Sequence, residues 1–257
     1  MPTVTTPPDH AHASVTVIGA GRLGSALTAA LRAAGLDVEG PLGRGARSNA
    51  GVTVLCVPDG EIAAAAEAAQ APGFVGHTSG ATPLAVLGDA GERAFGLHPL
   101  QTFAGGESAA SFSGAGCAVA GASPEALAVA RDLATRLGML AIEIDDSERA
   151  AYHAAASVAS NFLVTLQAVA EELAGAAGLT REQARSLLAP LVRSTVDNWA
   201  ERGPEAALTG PVARGDDATV IRQRDAVEGA APHLLPLFDE LVERTRAVAA
   251  VGDGVPA

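Results

Sequence analysis

Val15-Thr16-Val17-Ile18-Gly19-Ala20-Gly21-Arg22-Leu23-Gly24-Ser25-Ala26-Leu27 is the stretch that decides how the rest of the chain reads. A short apolar run suited to a buried strand turns through Gly19-x-Gly21-x-x-Gly24 into an alanine-rich amphipathic helix. Gly19 permits the tight turn, Gly21 lets backbone approach a pyrophosphate, and Gly24 lets helix and strand pack closely. The helix N-terminus adds unpaired N–H groups and a positive dipole end for the phosphates. Gly19, Ala20, Gly21, Arg22, Leu23 and Gly24 are therefore expected to bind a dinucleotide.

Outward from that loop, residues 14–145 alternate apolar runs with helical segments, the pattern of an α/β domain with a mostly parallel, doubly wound sheet. Strands are predicted at Val15–Ile18, Leu36–Leu42, Val52–Val57, Phe74–His77, Ala94–Leu97, Cys117–Val119 and Leu140–Ile144. Helices are predicted at Ser25–Ala34 and Ile62–Ala69, with a third begun by Ser123-Pro124. Gly114-x-Gly116 precedes its strand, so it reads as an ordinary turn rather than a second phosphate loop.

Residues 146–250 read as helices only. The first runs from the acidic start Asp145–Glu148 to about Ala174. Thr180 and Gln183 form a capping box for the next, in which Pro190 predicts a kink. Further helices are expected at Ala218–Glu228 and His233–Ala250, and residues 1–13 and 251–257 read as flexible tails. His10 and His12 lie on the first tail and read as inert rather than as metal ligands, and no metal site is expected anywhere.

Composition narrows the function. A net charge of −12 disfavours nucleic acid and anionic membrane surfaces as partners. No apolar run approaches the roughly 20 residues of a membrane span. Nothing at the N-terminus resembles a secretion signal, which points to the cytoplasm. Cys56 and Cys117 have no metal-type spacing and read as buried, reduced thiols. All 17 basic residues are arginines, so chemistry that needs a lysine ε-amine is excluded.

An NAD site usually carries a carboxylate about 20 residues beyond the glycine loop. Here that place holds Gly43-Arg44-Gly45-Ala46-Arg47-Ser48. Two cations and a hydroxyl suit a 2′-phosphate, so NADP is expected over NAD, with Arg44 and Arg47 as its contacts; the alternative is that both arginines are solvated loop charges.

Ligands of such sheets lie beyond the carboxyl ends of the strands. Val57-Pro58-Asp59, His77-Thr78-Ser79 and His98-Pro99 fall there. Val57, Pro58 and Thr78 are grouped with the cofactor, Ser79 and His98 with a small-molecule substrate, and His77 reads as positional. His98 reads equally well as a strand cap. At 3.6 residues per turn, His153, Ser157, Ser160 and Asn161 share one side of an otherwise apolar helix, marking either a cleft or a structural network. His153 is the predicted general acid, since histidine titrates near neutrality. Ser157 and Asn161 would orient the substrate, and Tyr152, about 100° round the helix from His153, is expected to pack elsewhere. Arg214, in Thr209-Gly210-Pro211 to Gly215, could clamp a substrate carboxylate; the alternative is that Arg214 is a surface charge and Asp217 simply caps the helix that follows.

Taken in order, the glycine loop, Val57-Pro58-Asp59, His77-Thr78-Ser79-Gly80, Gly96 to Phe103, Tyr152-His153 to Asn161 and Thr209 to Asp216 resemble the Rossmann-like proteins with a C-terminal helical domain of unknown function. These belong to the wider 6-phosphogluconate dehydrogenase-like group, with ketopantoate reductase, pyrroline-5-carboxylate reductase and prephenate dehydrogenase. The resemblance implies an N-terminal NAD(P)-binding Rossmann domain, an all-α substrate and dimerisation domain, and a homodimer formed through the helices. It implies an NADP-dependent oxidoreductase acting on a keto acid, imine or hydroxy acid, with ketopantoate reduction the leading named reaction. In the 3-hydroxyisobutyrate dehydrogenase and ketopantoate reductase branches a lysine stands four residues before the asparagine; Ser157 holds that place here, and the prephenate dehydrogenase branch also has serine near it. A non-catalytic NADP-binding sensor or assembly protein is the alternative.

Overall fold

The computed structural model describes residues 14–105 and 109–252. The expected first tail, with His10 and His12, lies outside the described residues, as does the chain after Gly252. By contact density the chain divides into two compact units, one ending at Ser160 and the other beginning at Asn161.

The first unit is built on seven strands: β1 (Val15–Ile18), β2 (Val38–Leu42), β3 (Val52–Leu55), β4 (Phe74–His77), β5 (Ala94–Leu100), β6 (Gly116–Gly121) and β7 (Leu140–Glu143). Their order is β2-β1-β3-β4-β5-β6-β7. All neighbours run parallel except β5 and β6, which are antiparallel. β1 (VTVI) and β3 (VTVL), at the centre of the parallel part, are short, β-branched and buried throughout because both faces are covered. On one face Val15, Val17, Val52, Val54, Phe95 and Val119 pack under α1 (Arg22–Ala33) and α3 (Pro124–Arg136). On the other, Ile18, Leu55, Val75 and Ala94 pack under α2 (Ile62–Ala69) and the irregular 3-10 segment Leu84–Arg93. Ser123 caps α3 by accepting from the Ala126 N–H, as its Ser-Pro start predicts.

β5 runs further than the sequence suggests. His98 and Pro99 lie inside it, opposite Ala118 and Cys117. The β4 ladder stops at Gly96, so a proline three residues later interrupts no pairing on that side. Chain reversal at β2 and β3 about β1 places the crevice at the carboxyl ends of β1 and β3, below the glycine loop.

The helix expected from Asp145 to Ala174 is interrupted. A 3-10 turn (Asp146–Glu148) leads into α4 (Arg149–Ser157), a π-helical turn covers Val158–Phe162, and α5 (Leu163–Ala176) follows. The division between the units falls within that π turn. In the second unit α5 packs on α6 (Arg181–Ala207), and both α6 and α7 (Asp217–Ala230) pack on α8 (Leu235–Gly252). The Thr180–Gln183 capping box is present. The expected kink at Pro190 is not: the backbone leaves helical geometry at Gly203, where φ is 78°, a conformation open to glycine at no steric cost. Asp216, rather than Asp217, caps α7; Asp217 instead pairs with Arg246. Among the described residues no helix is long and apolar enough to cross a membrane.

Candidate functional site

The glycine loop is a turn with two filled positions and one open one. A Cβ on Gly19 would lie 2.1 Å from the Cys56 carbonyl oxygen, and one on Gly24 would lie 1.8 Å from the Gly19 carbonyl oxygen. Neither position can hold a side chain without moving backbone. A Cβ on Gly21 would meet nothing within 4 Å. Gly21 is the N-cap of α1, no side chain caps that terminus, and its φ of −75° is ordinary. Glycine at 21 is thus needed neither for conformation nor for internal packing; it keeps the mouth of an uncapped helix dipole clear, which fits a bound pyrophosphate. Arg22 reaches across to the Ala104 carbonyl at 3.4 Å.

The loop after β2 presents Arg44 and Arg47, both exposed. Arg44 pairs with Glu61 at 2.8 Å. Ser48 is withdrawn from any ligand role: it is buried, accepting from the Thr53 hydroxyl at 2.8 Å and the Ala50 N–H at 3.2 Å. Val57 and Pro58 follow β3 at the crevice, Val57 half-buried and Pro58 exposed. Thr78 is buried and its hydroxyl donates back to the Leu55 carbonyl at 3.4 Å, so it ties β4 to β3.

A second polar group gathers at the carboxyl ends of β4 and β5. His98 Nδ1 and Tyr152 Oη share a 2.8 Å hydrogen bond. The His98 and His153 rings lie 5.9 Å apart, centroid to centroid. Gly80 makes room for both: a Cβ there would come within 2.7 Å of His153 and 2.8 Å of His98. Beneath them Arg149, 3% exposed, bonds Asp146 at 2.6 Å and the Ser79 carbonyl at 3.3 Å. Its guanidinium occupies the space left by Gly96.

Ser79 is not a free ligand. Its hydroxyl lies 2.9 Å from Asp59 Oδ2 and 2.9 Å from the Thr82 hydroxyl, and accepts from the Ala81 and Thr82 N–H groups. That saturates a hydroxyl, so Ser79 shapes the loop over which the histidines lie. Burial, with Arg149 adding to it, lowers His77 to about 4 against the opposing pull of Asp146, Asp59 and the Pro83 carbonyl. Its Nδ1 accepts from the Ser79 N–H at 3.2 Å, a positional use.

Electrostatics set the proton states. Burial, then His153 and Arg149, lower His98 to about 4, leaving a neutral imidazole at pH 7. Burial, with the Cys117 thiol adding to it, pushes Tyr152 up to about 12 against the pull of Arg149, so the phenol keeps its proton. At pH 7 the hydrogen-bonded pair is therefore neutral on both sides. Burial also lifts the Cys56 and Cys117 thiols to about 12; both are free, with Cys56 only half-buried, and neither is a thiolate nucleophile.

Two members of this group escaped the sequence reading. Tyr152 does not pack away from His153's neighbours: His98 lies between two directions 100° apart, and long side chains at both converge on it. Arg149 had one visible signal, the glycine at 96 that vacates its space. His153 and Ser157 are half-buried on α4. Asn161 begins the second unit, exposed in the π turn, so the straight stripe assumed for an α-helix is unwound there. Arg214 is exposed on the turn before α7, also in the second unit.

Solved structures share this fold. Protein TM1727 from Thermotoga maritima is 24% identical, with a TM-score of 0.77 over 92% of this chain and 98% of that one. BF3122 from Bacteroides fragilis, described as a candidate NADP oxidoreductase, is 21% identical with a TM-score of 0.75 over the same shares. Pyrroline carboxylate reductase from Plasmodium falciparum, solved with NADP bound, is 12% identical with a TM-score of 0.56, again over 92% and 98%. Comparison with curated proteins finds no match. The profile of a family described as a domain of unknown function, DUF2520, matches residues 115–245, half of the chain, and the chain belongs to that family.

Proposed function

We propose that this protein is an NADP-dependent oxidoreductase that moves a hydride to or from a small polar substrate, a keto acid, imine or hydroxy acid. The open Gly21 position at an uncapped helix terminus, between two glycines that cannot bear side chains, carries the reading. Support comes from similar folds: the Plasmodium neighbour has NADP bound, and the Bacteroides neighbour is described as a candidate NADP oxidoreductase. When bound, the nicotinamide would supply or accept the hydride.

The chain's own residues divide the remaining work. Residues 19–24 would hold the pyrophosphate, Arg44 and Arg47 the 2′-phosphate, and Val57, Pro58 and Thr78 the wall of the crevice. His153 would exchange the proton that accompanies the hydride, and the neutral His98–Tyr152 pair would resupply it. Ser157 would orient the substrate's carbonyl or imine from the next turn of α4. Ketopantoate reduction is the first reaction to try, by resemblance alone.

Fluorescence titration with NADPH, followed by a panel of keto acids and imines, tests the proposal. Saturable binding with turnover that His153→Ala abolishes is the expected result. Tight binding without turnover on any substrate would favour a sensor, and no binding would overturn the cofactor reading.

The helical unit is proposed to pair with a second copy. Leu187, Leu191 and Trp199 are 64%, 62% and 55% exposed on α6, an apolar surface of the kind that marks protein contact.

A further inference from the structure

The Arg44–Glu61 pair joins the two loops that flank the glycine turn. Arg44 sits in the tight turn Gly43–Gly45 after β2, closed by the Ala46 N–H on the Gly43 carbonyl at 3.3 Å. Glu61 sits in the 3-10 turn Asp59–Glu61 after β3, fixed by its own N–H on the Pro58 carbonyl at 2.8 Å. β2 and β3 are the two neighbours of β1, so the ion pair spans the crevice at the carboxyl end of the strand that feeds residues 19–24. An arginine placed there to meet a phosphate is already held by a carboxylate 2.8 Å away.

We propose that Glu61 is a specificity-determining residue, holding Arg44 in a pair that a 2′-phosphate must open and a 2′-hydroxyl leaves closed. The inference rests on the dinucleotide reading above. A phosphate ester outcompetes a carboxylate for a guanidinium through its greater charge and its third oxygen. NADPH binding would then carry the cost of releasing Glu61 from Arg44. NADH binding would not. Glu61 therefore narrows the gap between the two cofactors and sets the preference for NADP below what Arg44 alone would give.

The side chains of Arg44 and Glu61 are 60% and 46% exposed, so the pair is weak and the effect modest. In Glu61→Gln, NADPH should bind about two- to fivefold tighter, the range an exposed ion pair supplies, with NADH affinity unchanged. Arg44→Ala should weaken NADPH about tenfold or more. In the Arg44→Ala background, Glu61→Gln should no longer alter NADPH affinity, because the carboxylate acts by occupying Arg44. Dissociation constants for both nucleotides across the four proteins, read by nucleotide fluorescence, complete the cycle. NADPH affinity unchanged or weakened in Glu61→Gln overturns the role of Glu61 while leaving the dinucleotide site standing. A gain that persists without Arg44 overturns it too, by showing simple charge repulsion. Wild-type protein that binds neither nucleotide removes the dinucleotide site itself, and this inference with it.

Discussion

The two units bury their apolar residues very differently. Through residue 160, two clusters on opposite faces of the sheet enclose most valines, leucines and isoleucines of the strands and of α1 to α3. From residue 161 onward, the buried hydrophobic side chains among the described residues are Ala184, Val220, Val227 and Ala231, while Phe162, Val164, Leu187, Leu191, Trp199 and Ile221 are more than half exposed. Similar apolar composition thus yields a sealed core in one region and an open apolar surface in the other. A parallel sheet has two faces that its own crossover helices cover. Amphipathic helices whose apolar stripes exceed what their neighbours can cover need something further.

The sharpest break in this comparison is predicted inside the sealed unit. Gly24→Val forces a side chain into the Gly19 carbonyl, so the variant should lose about 3 kcal/mol or more, or fail to fold, by thermal melting. Gly21→Ala, three residues earlier and facing open space, should stay within about 1 kcal/mol of the parent, yet lose NADPH binding. Equal melting temperatures for the two variants would contradict the assignment of one glycine to packing and the other to ligand.

The open unit supplies the next test. Leu191→Asp places a charge on an exposed α6 position and should convert a dimer to monomer in sedimentation velocity, with helix content retained by circular dichroism. A wild-type protein that sediments as a monomer at micromolar concentration would show that the apolar surface serves something other than a second copy.

How much of this was legible in the sequence depends on the range of the forces involved. Val15–Ile18 and Phe74–His77 match their predicted bounds because an apolar run buried on both faces carries its own signal, and Ser123 and Thr180 cap where local hydrogen bonding says they should. The extension of β5 through Pro99 was hidden because pairing with β6, almost 20 positions away, decides it. The same holds for the site. Residues 19–24 were readable because the constraint is local backbone geometry. The Tyr152–His98 bond and the Arg149–Gly96 contact join segments separated by over fifty residues, and no periodicity reports them. Pro190 shows the converse error: a local breaker that the surrounding helix accommodates, while Gly203 breaks it instead.

Acid should separate the units further. His77 and His98 lie in the sheet unit with values near 4, below the ordinary 6.5. Between those limits the unfolded chain binds protons that the folded one does not, so stability rises with pH there and falls on acidification. From pH 7 to pH 5 each histidine should cost about 2 kcal/mol, visible as a falling urea midpoint. Replacing His77 by Asn should flatten the dependence; an unchanged slope would place the acid sensitivity elsewhere.

The smallest effect gives the finest comparison, because the same chemical change can be made once in each unit. Ser123 and Thr180 each cap a helix by accepting an N–H at the third position, at 3.1 Å and 3.2 Å. Replacing either by Ala should cost about 1 kcal/mol, since one orphan donor is left to water. The returning bond, from the backbone N–H of residue 180 to Gln183 Oε1 at 2.9 Å, survives in Thr180→Ala, so the two changes should cost about the same. If the sealed and open units unfold independently, a calorimetric trace resolves two transitions, and Ser123→Ala lowers one while Thr180→Ala lowers the other. A single transition shifted equally by both variants would mean that the open unit shares the cooperativity of the sealed one despite its sparse core. Where two transitions are resolved, raising the protein concentration should raise the helical unit's alone if a second copy covers its apolar surface, because association stabilises by mass action only the part that associates.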